Sequence, residues 1–272
     1  MILKTGNTGN DVALLQARLL NAKYLAVDTY EHGTFDNATA RAVMDLQAAA
    51  NLVIDAIVGP KTMSALLKRD TSHLLSESNL TIAASALGVD LATIAAVRRI
   101  ESKHSGFDNA GRPKILYERH VMRRRLLVHG ITNSQLKYHE QKHSNLVNRD
   151  AGGYTGGAGE WIRLTEAQKI HATSALESCS WGMFQIMGYH WKRLGYTSIT
   201  DFVSQMEMSE GHQLDAFVRF VNADPVLKIA LQKQEWAAFA KGYNGPGYRN
   251  NKYDTRLATA YTAALADQKA TA

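Results

Sequence analysis

The segment LATIAAVRRIESKHSGF, residues 91–107, predicts a helix whose apolar face contains a carboxylate. Leu91, Ile94, Val97 and Glu101 follow one another at spacings of three, three and four residues. This spacing places all four side chains on one face of a helix. Glu101 therefore continues an apolar stripe near the C-terminal end of its helix.

The position of Glu101 favours a carboxylic acid that keeps its proton near neutral pH. Gly88 is expected to end the preceding helix and Asp90 to cap this one. Partial burial and the negative end of a helix both raise the pKa of a carboxyl group. Such a group suits general acid catalysis. The structural alternative is an ion pair of Glu101 with Arg98 or Lys103.

Two later segments have the composition of a sugar-binding cleft. SCSWGMFQIMG, residues 178–188, is an aromatic turn with glycines and Gln185. FAKGYNGPGY, residues 239–248, predicts a helix end followed by a loop with Tyr243 and Asn244. Glycine allows a backbone to approach a ligand closely, and aromatic and amide side chains supply stacking and hydrogen bonds.

The composition is that of a globular protein without disulfides. The 272 residues are 45% hydrophobic and 21% charged, which suits one large domain or two unequal ones. The net charge of +6 favours polyanionic partners without choosing between them. Cys179 is the single cysteine, and its apolar context predicts packing, because no histidine is placed to activate it as a nucleophile. No signal sequence or membrane span is recognisable.

The first 70 residues contain a repeated helical pattern. V-x-x-L-Q-x-x-L begins at Val12, and V-x-x-L-Q-x-x-A begins at Val43. The pattern predicts two amphipathic helices, the first capped by Asn10 and the second by Asp36 or Asn37. Gly59-Pro60 indicates the start of a third short helix.

This first part resembles the peptidoglycan-binding domain that occurs at the ends of many cell-wall hydrolases. The one departure is Asp55-Ala56, where that family usually has Asp-Gly. The resemblance rests on the following residues: Gly6, Gly9, Asp11, Val12, Leu15, Gln16, Leu19, Phe35, Thr39, Ala42, Val43, Gln47, Leu52, Asp55, Val58, Gly59 and Thr62.

The second part carries three motifs in the order typical of the lysozyme superfamily, as in goose-type lysozymes and soluble lytic transglycosylases. The motifs are Glu101-Ser102, SWGMFQ at 180–185, and A-x-G-Y-N-G at 240–245. Five segments resemble the N-acetylmuramidase domain of modular phage endolysins more closely: GRPKILYERHVMRR, GGYTGG, EWIRLTEA, ALESCSWGMFQIMGYHWKRLGY, and WAAFAKGYNGPGY with the later YDTRLATAY. The resemblance implies that Glu101 is the general acid. It also implies that Ser180, Gln185, Tyr243 and Asn244 bind substrate around the scissile bond.

A second catalytic carboxylate is less clearly indicated. Glycosidases usually place one ~5 to 9 Å from the acid. Asp108, Glu118 and Glu177 are the candidates, and Glu118 is preferred if such a group exists. Its structural alternative is pairing with Arg119 or Arg123. The goose-type arrangement without a dedicated second carboxylate also stays open.

A further motif, His139-Glu140-x-x-His143, matches the pattern of zinc peptidases. Its neighbours are polar, so the segment predicts a solvated helix in an insertion of the catalytic domain, and no metal ligands are assigned. Glu160 or Glu166, downstream of the motif, could be nominated as a third ligand. The run of arginines at 123–125 favours a solvated face.

The sequence thus predicts a mainly α protein with a minor β element. Residues 1–70 form a three-helix wall-binding domain, 71–79 a polar linker, and 80–272 a lysozyme-like catalytic domain. We expect an endolysin that hydrolyses the bond between N-acetylmuramic acid and N-acetylglucosamine without a cofactor. The alternatives are a lytic transglycosylase, a zinc endopeptidase and a wall-binding protein without catalysis.

The remaining expectations concern partners and location. Peptidoglycan is the expected partner, and nucleic acid is disfavoured because no recognition motif accompanies the charge. We expect a monomer without stable membrane insertion. It is made in the host cytoplasm and released to the periplasm without its own signal peptide, and the resemblance implies Gram-negative hosts.

Overall fold

A computed structural model describes residues 2–101 and 105–271 of the chain. Ser102 of the first motif and Lys103, an expected ion-pair partner of Glu101, lie outside the described residues. The fold is mainly α with one small sheet, as predicted. The described residues form two hydrophobic cores, a smaller one built from residues between Leu3 and Val58 and a larger one that extends to Leu257.

The smaller core is enclosed by three helices, α1 (Asn10–Asn21), α2 (Asn37–Ala49) and α3 (Pro60–Leu66). The predicted cap of α2 is confirmed, since the Asp36 side chain accepts a hydrogen bond from the Thr39 N–H. The predicted cap of α1 is wrong. Gly9 takes the cap position without a side-chain bond, because its φ of 113° suits glycine, and Asn10 is the first helical residue.

The two glutamines of the repeat have matching structural roles. The Gln16 amide donates to the carbonyls of Glu31 and Thr34, and its oxygen accepts from the Gly33 N–H. The Gln47 amide donates to the Ile57 carbonyl. Both side chains are buried. Each repeat therefore fixes the loop that follows its helix by satisfying backbone groups that would otherwise be buried without partners.

In the part of the chain that the structure describes, ten helices surround the larger core. Gly88 ends the first of them in a left-handed conformation, and the Asp90 carboxylate accepts from the Thr93 N–H to cap the second, so both predictions are confirmed. Two short 3-10 helices cover Gly188–His190 and Pro246–Asn251. The helices are α4 (Glu77–Leu87), α5 (Leu91–Glu101), α6 (Arg119–Val128), α7 (Asn133–Lys142), α8 (Ala158–Glu177), α9 (Ile199–Met208), α10 (Glu210–Asn222), α11 (Pro225–Gln232), α12 (Trp236–Asn244) and α13 (Tyr253–Thr271).

The sheet lies beside the end of α5. Its strands are β1 (Ile115–Tyr117), β2 (Cys179–Trp181) and β3 (Ile186–Met187), antiparallel in the order β1-β2-β3. The turn between β2 and β3 contains Gly182, whose φ is 72°. A Cβ atom there would meet the Gln213 side chain at 2.6 Å, so only glycine fits this close approach.

The junction between the two cores is ordered. Leu74 and Leu75, the two leucines of the polar linker, are buried. Helix α4 begins at Glu77, behind a capping box of Ser76 and Asn79. Within the described part of the chain, no single helix is long and apolar enough to cross a membrane. The pair α4 and α5 passes by length and composition only when taken together, across a bend of 115°.

Candidate active site

Glu101 is the last residue of α5, and its carboxylate points toward α13. Ile94 and Val97, earlier on the same stripe, are fully buried, so the helix is held firmly and Glu101 emerges at the edge of the core. The Tyr253 hydroxyl donates a hydrogen bond to Glu101 Oε1. This contact links the start of the last helix to the end of α5.

Burial is the main reason that Glu101 keeps its proton. It raises the pKa of Glu101 from 4.5 to about 7, although the Tyr253 hydroxyl and the charge of Arg256 act in the opposite direction. The predicted direction is therefore confirmed for this group. At neutral pH a substantial fraction of Glu101 can donate a proton, as a general acid requires.

Glu101 opens onto a cavity of ≈ 410 Å³ next to the sheet. Trp161 supplies an aromatic wall, and its indole N–H donates to the Pro113 carbonyl at 3.0 Å. Gly157 and Gly182 also line the cavity, Gly157 as an exposed residue and Gly182 as a buried one. This combination of acid, indole face and backbone suits a pyranose ring. Ser105, Asp108, Lys114, Ile115, Leu116, Met183 and Gln185 complete the lining.

The β2–β3 turn brings Gln185 into this cavity and uses Ser180 to orient it. The Ser180 hydroxyl donates to Gln185 Oε1 at 2.7 Å, and Gln185 Nε2 donates to the Gly182 carbonyl at 2.8 Å. Gln185 itself is exposed, with a φ of 50°. Its strained backbone is held in place by these bonds. Ser180 is 6% exposed, so it contacts Gln185 more directly than it could contact a ligand.

Tyr243 and Asn244 lie behind Glu101 rather than in the cavity lining. The Tyr243 hydroxyl donates to the Phe184 carbonyl at 2.7 Å, and its ring stacks on Tyr253 with centroids 6.4 Å apart. The Asn244 side chain hydrogen-bonds to the Tyr253 hydroxyl. Both predicted residues therefore reach Glu101 through Tyr253, a residue of the resembling segment YDTRLATAY to which the sequence analysis gave no role.

Helix α10 holds two walls of the cavity with buried polar side chains. Gln213 Oε1 accepts from the Met183 N–H at 2.7 Å and so fixes the β2–β3 turn. Glu210 Oε1 accepts from the Gly106 N–H at 2.8 Å and from the Ser105 hydroxyl at 3.0 Å. Sequence analysis missed both residues. The available signal was a glutamate and a glutamine three residues apart on the apolar face of an amphipathic helix.

The three candidate second carboxylates differ in position. Asp108 lines the cavity, and its pKa is lowered because hydrogen bonds from the Arg112 and Ala110 N–H groups and the Arg112 charge outweigh burial. Glu177 is buried and is paired with Arg125 at 2.7 Å, away from the cavity.

Glu118 follows β1 and takes the N-cap position of α6 without a side-chain cap bond, and it does not line the cavity. The structural alternative for Glu118, an ion pair with Arg119 or Arg123, is wrong. Its carboxylate accepts from the Tyr154 hydroxyl at 2.8 Å and lies 3.1 Å from His120 Nδ1. The catalytic role of Glu118 stays a prediction.

The motif at 139–143 lies at the end of α7, which is a solvated helix, as predicted. Leu136, before the motif, is the single buried residue of α7. Glu140, the residue that would act as base in a zinc peptidase, is ion-paired with Arg123 at 2.5 Å. Of the nominated third ligands, Glu160 is buried against Arg163, and Glu166 pairs with Lys169. Across residues 2–101 and 105–271, no group of three His, Cys, Asp or Glu side chains is arranged to hold a metal ion.

Cys179 packs in β2, as predicted. It is fully buried, and burial raises the pKa of its thiol well above the ordinary value. A second cavity of ≈ 400 Å³, between α4 and α10, contains none of the predicted site residues.

Comparison with known proteins places this site in an enzyme family. Residues 90–265 match the N-acetylmuramidase family, and residues 8–66 match the putative peptidoglycan binding domain. The first match covers more than half of the chain, so the protein belongs to the N-acetylmuramidase family. It is a cell-wall-degrading muramidase of the endolysin class, as predicted, and its substrate is peptidoglycan.

A phage endolysin and a bacterial amidase are among the proteins that are similar to this chain. The crystal structure of the Burkholderia AP3 phage endolysin is 45% identical, with a TM-score of 0.87, over 97% of this chain and 99% of that one. The N-acetylmuramoyl-L-alanine amidase CwlL from Bacillus licheniformis is 40% identical over 65 residues, 24% of this chain. The match spans 18% of that amidase, so this likeness is confined to a short region.

Proposed function

We propose that Glu101 is the general acid that protonates the glycosidic oxygen between N-acetylmuramic acid and N-acetylglucosamine. The observation that carries this proposal is a carboxyl group whose pKa is raised to about 7 at the mouth of a cavity lined by Trp161 and glycine backbone. Proton donation by Glu101 lets the leaving sugar depart as an oxocarbenium-like state forms. Gln185 lies in the same cavity and can hydrogen-bond to a sugar hydroxyl.

Of the three candidate second carboxylates, Asp108 is the one that lines the same cavity as Glu101. It lines the cavity and stays ionised, so it can stabilise developing positive charge on the sugar. Both of its oxygens, however, accept hydrogen bonds from Arg112. A carboxylate held in this way is a poor nucleophile, and we propose that water attacks under its electrostatic influence. Glu118 remains the alternative.

The commitment of both carboxylates to protein partners also favours a second candidate function. A lytic transglycosylase needs no second carboxylate, because the C6 hydroxyl of the muramic acid attacks internally and an anhydro sugar results. Glu101 would protonate the leaving oxygen in either reaction. The two functions therefore share one acid and differ only in the attacking oxygen.

Mass spectrometry of the soluble fragments from digested peptidoglycan tests both functions. Reducing muramic acid ends support hydrolysis, and anhydromuramic ends support transglycosylation. Intact glycan with cut stem peptides would contradict both. Replacing Glu101 by Gln should reduce glycan cleavage by about 10² to 10⁴. Substantial cleavage by a folded Glu101→Gln protein would remove the acid from this assignment.

Matched substitutions then separate the carboxylates. Asp108→Asn should lower the turnover number while Glu118→Gln leaves it nearly unchanged, because only Asp108 lines the cavity. The reverse result would return the second catalytic role to Glu118. Equal, small effects of both would favour the internal hydroxyl or a water held without a carboxylate.

We further propose that residues 1–70 attach the enzyme to the wall, 71–79 connect it, and 80–272 cut the glycan. The net charge of +6 favours attraction to polyanionic wall polymers rather than to nucleic acid. We propose a monomer that is made in the host cytoplasm and released to the periplasm by a separate membrane-permeabilising protein. Pull-down of residues 1–70 on purified peptidoglycan tests the attachment to the wall. Sedimentation of the whole chain tests whether the protein is a monomer.

A further inference from the structure

The two units of the chain share a buried ion pair. Lys61, on α3 of the first unit, places Nζ 2.6 Å from Glu210 Oε2, on α10 of the second. Glu210 has no exposed surface, while Lys61 is 28% exposed. Burial alone would raise the pKa of Glu210, but Lys61 and the N–H groups of Gly106 and Leu75 outweigh it, so its pKa is lowered.

Glu210 divides its two oxygens between the first unit and the catalytic cavity. Oε2 accepts from Lys61 and from the Leu75 N–H at 2.9 Å. Oε1 accepts from the Gly106 N–H and the Ser105 hydroxyl. Ser105 lines the same cavity as Glu101. The Glu210 carboxylate therefore connects Lys61 of the peptidoglycan-binding unit to Ser105 in the lining of the catalytic cavity.

A second contact reaches the helix of the acid itself. Asp55 Oδ2, in the last loop of the first unit, accepts from Arg98 at 2.9 Å. Arg98 lies on α5, three residues before Glu101. Asp55 is held in turn by the amide of Gln47, 2.9 Å away. Val53, two residues earlier, packs into the larger core.

We propose that the wall-binding unit is also a positioning element of the active site, with Lys61 and Asp55 as its positioning residues. Lys61 acts through Glu210 on the Ser105–Gly106 wall, and Asp55 acts through Arg98 on the helix that ends at Glu101. Neither residue touches the substrate. The first unit thus has two tasks, attachment to the wall and maintenance of the cleft geometry.

The physical reason is the cost of a buried charge without a partner. If Lys61 loses its charge, Glu210 must either take up a proton or draw water into the junction. Both changes alter the acceptor that fixes Ser105 and Gly106. A displacement of about 1 Å in a catalytic group can reduce turnover by about 10²-fold. The cleft is therefore sensitive to a lysine that belongs to another unit.

The test uses the full chain with Lys61→Met, Lys61→Arg and Asp55→Asn, and Lys4→Met as the control for an exposed lysine of the same unit. Three measurements are made: pelleting with purified sacculi, thermal melting, and kcat and KM on soluble glycan-strand fragments that need no attachment to a wall. We expect Lys61→Met to pellet like Lys4→Met while its kcat falls by about 10- to 100-fold. KM should stay close to that of the parent, and Lys61→Arg should recover most of the rate because it restores the charge.

Several results would overturn the proposal. If a folded Lys61→Met protein has the kcat of Lys4→Met, the first unit serves only to attach the enzyme to the cell wall and does not position the active site. A loss confined to pelleting and KM would have the same meaning. If Lys61→Met does not fold at the assay temperature, Asp55→Asn decides alone, and a parental kcat in that variant rejects the coupling.

This inference rests on Glu101 as the acid, and the same series separates the two. Activity that survives Glu101→Gln removes the acid whatever Lys61 does. An inactive Glu101→Gln protein beside fully active Lys61→Met and Asp55→Asn proteins removes only the positioning role.

Discussion

Replacing Tyr253 by Phe should move the pH profile of the enzyme toward alkaline pH. The Tyr253 hydroxyl donates to Glu101 Oε1, and this bond favours the ionised carboxylate. Burial and the neighbouring Glu101 raise the pKa of Tyr253, so the hydroxyl stays a donor throughout the working range. The substitution removes the bond and leaves the ring, which stacks on Tyr243, in place.

The size of the shift follows from the strength of the lost bond. A hydrogen bond to a charged group contributes about 1.5 to 3 kcal/mol, and one pKa unit corresponds to about 1.36 kcal/mol. The pKa of Glu101, about 7 in the parent protein, should therefore rise by about 1 to 2 units. Because the acid must be protonated to act, the alkaline limb of the kcat profile should move by the same amount.

The assay is kcat on soluble glycan fragments as a function of pH. Tyr261→Phe is the matched control, since that hydroxyl lies on the same helix and donates to Asp90 at 2.8 Å instead of Glu101. The control should leave the alkaline limb where it is. An unchanged limb in Tyr253→Phe, or a shift toward acid pH, would refute the assigned contact and the role of burial in setting the pKa of Glu101.

Three further predictions concern stability. Glu101→Gln should raise the melting temperature at pH 8 and not at pH 4. The pKa of Glu101 is about 7 in the folded protein and 4.5 in the unfolded chain, so its contribution to the free energy of unfolding is present below pH 4.5 and is lost as the pH rises through 7. The loss is up to roughly 3 kcal/mol before solvent screening. An equal gain in melting temperature at both pH values would contradict this prediction. Burial, with the charge of Arg193, lowers the pKa of His190 from 6.5 to about 4, so stability should fall as the pH drops through that window, and urea titrations should find a smaller fall in His190→Gln. Ala56→Gly should stabilise the fold by about 0.5 to 1 kcal/mol in urea titration, because Ala56 has a φ of 54°; destabilisation would show that the Ala56 methyl group contributes packing.

The loop at Asp55-Ala56 shows which features of the structure a sequence pattern can predict. Asp55-Ala56 departs from the Asp-Gly of related domains, and the structure keeps the left-handed conformation that glycine would favour. The loop retains its shape because Gln47 Oε1 accepts from the N–H groups of both Asp55 and Ala56. The buried glutamine of the repeat compensates for the missing glycine. The spacing of apolar residues predicted the helix that carries Gln47. It could not predict that the Gln47 side chain bonds to Asp55 and Ala56 in the following loop.

The same limit applies to the active site. Glu101 could be predicted because the features that raise its pKa, an apolar stripe and a helix end, lie within eleven residues of it. Tyr253 could not, since its contact with Glu101 spans 152 positions. Asn10 was chosen as a cap by residue type, while Gly9 took the position because of its backbone angle. Local chemistry was therefore predictable, and partners from distant segments were not.

The arrangement of α10 explains why those distant partners matter together. Glu210 and Gln213 lie three residues apart, so they leave the helix on one face and reach two loops that are far apart in sequence. Each side chain accepts a hydrogen bond from a backbone N–H that would otherwise be buried without a partner, and both loops contribute residues to the lining of one cavity. Stability and cleft geometry consequently depend on the same few hydrogen bonds. A substitution that weakens one of them should lower the melting temperature and the turnover number together, whereas loss of Glu101 should separate the two.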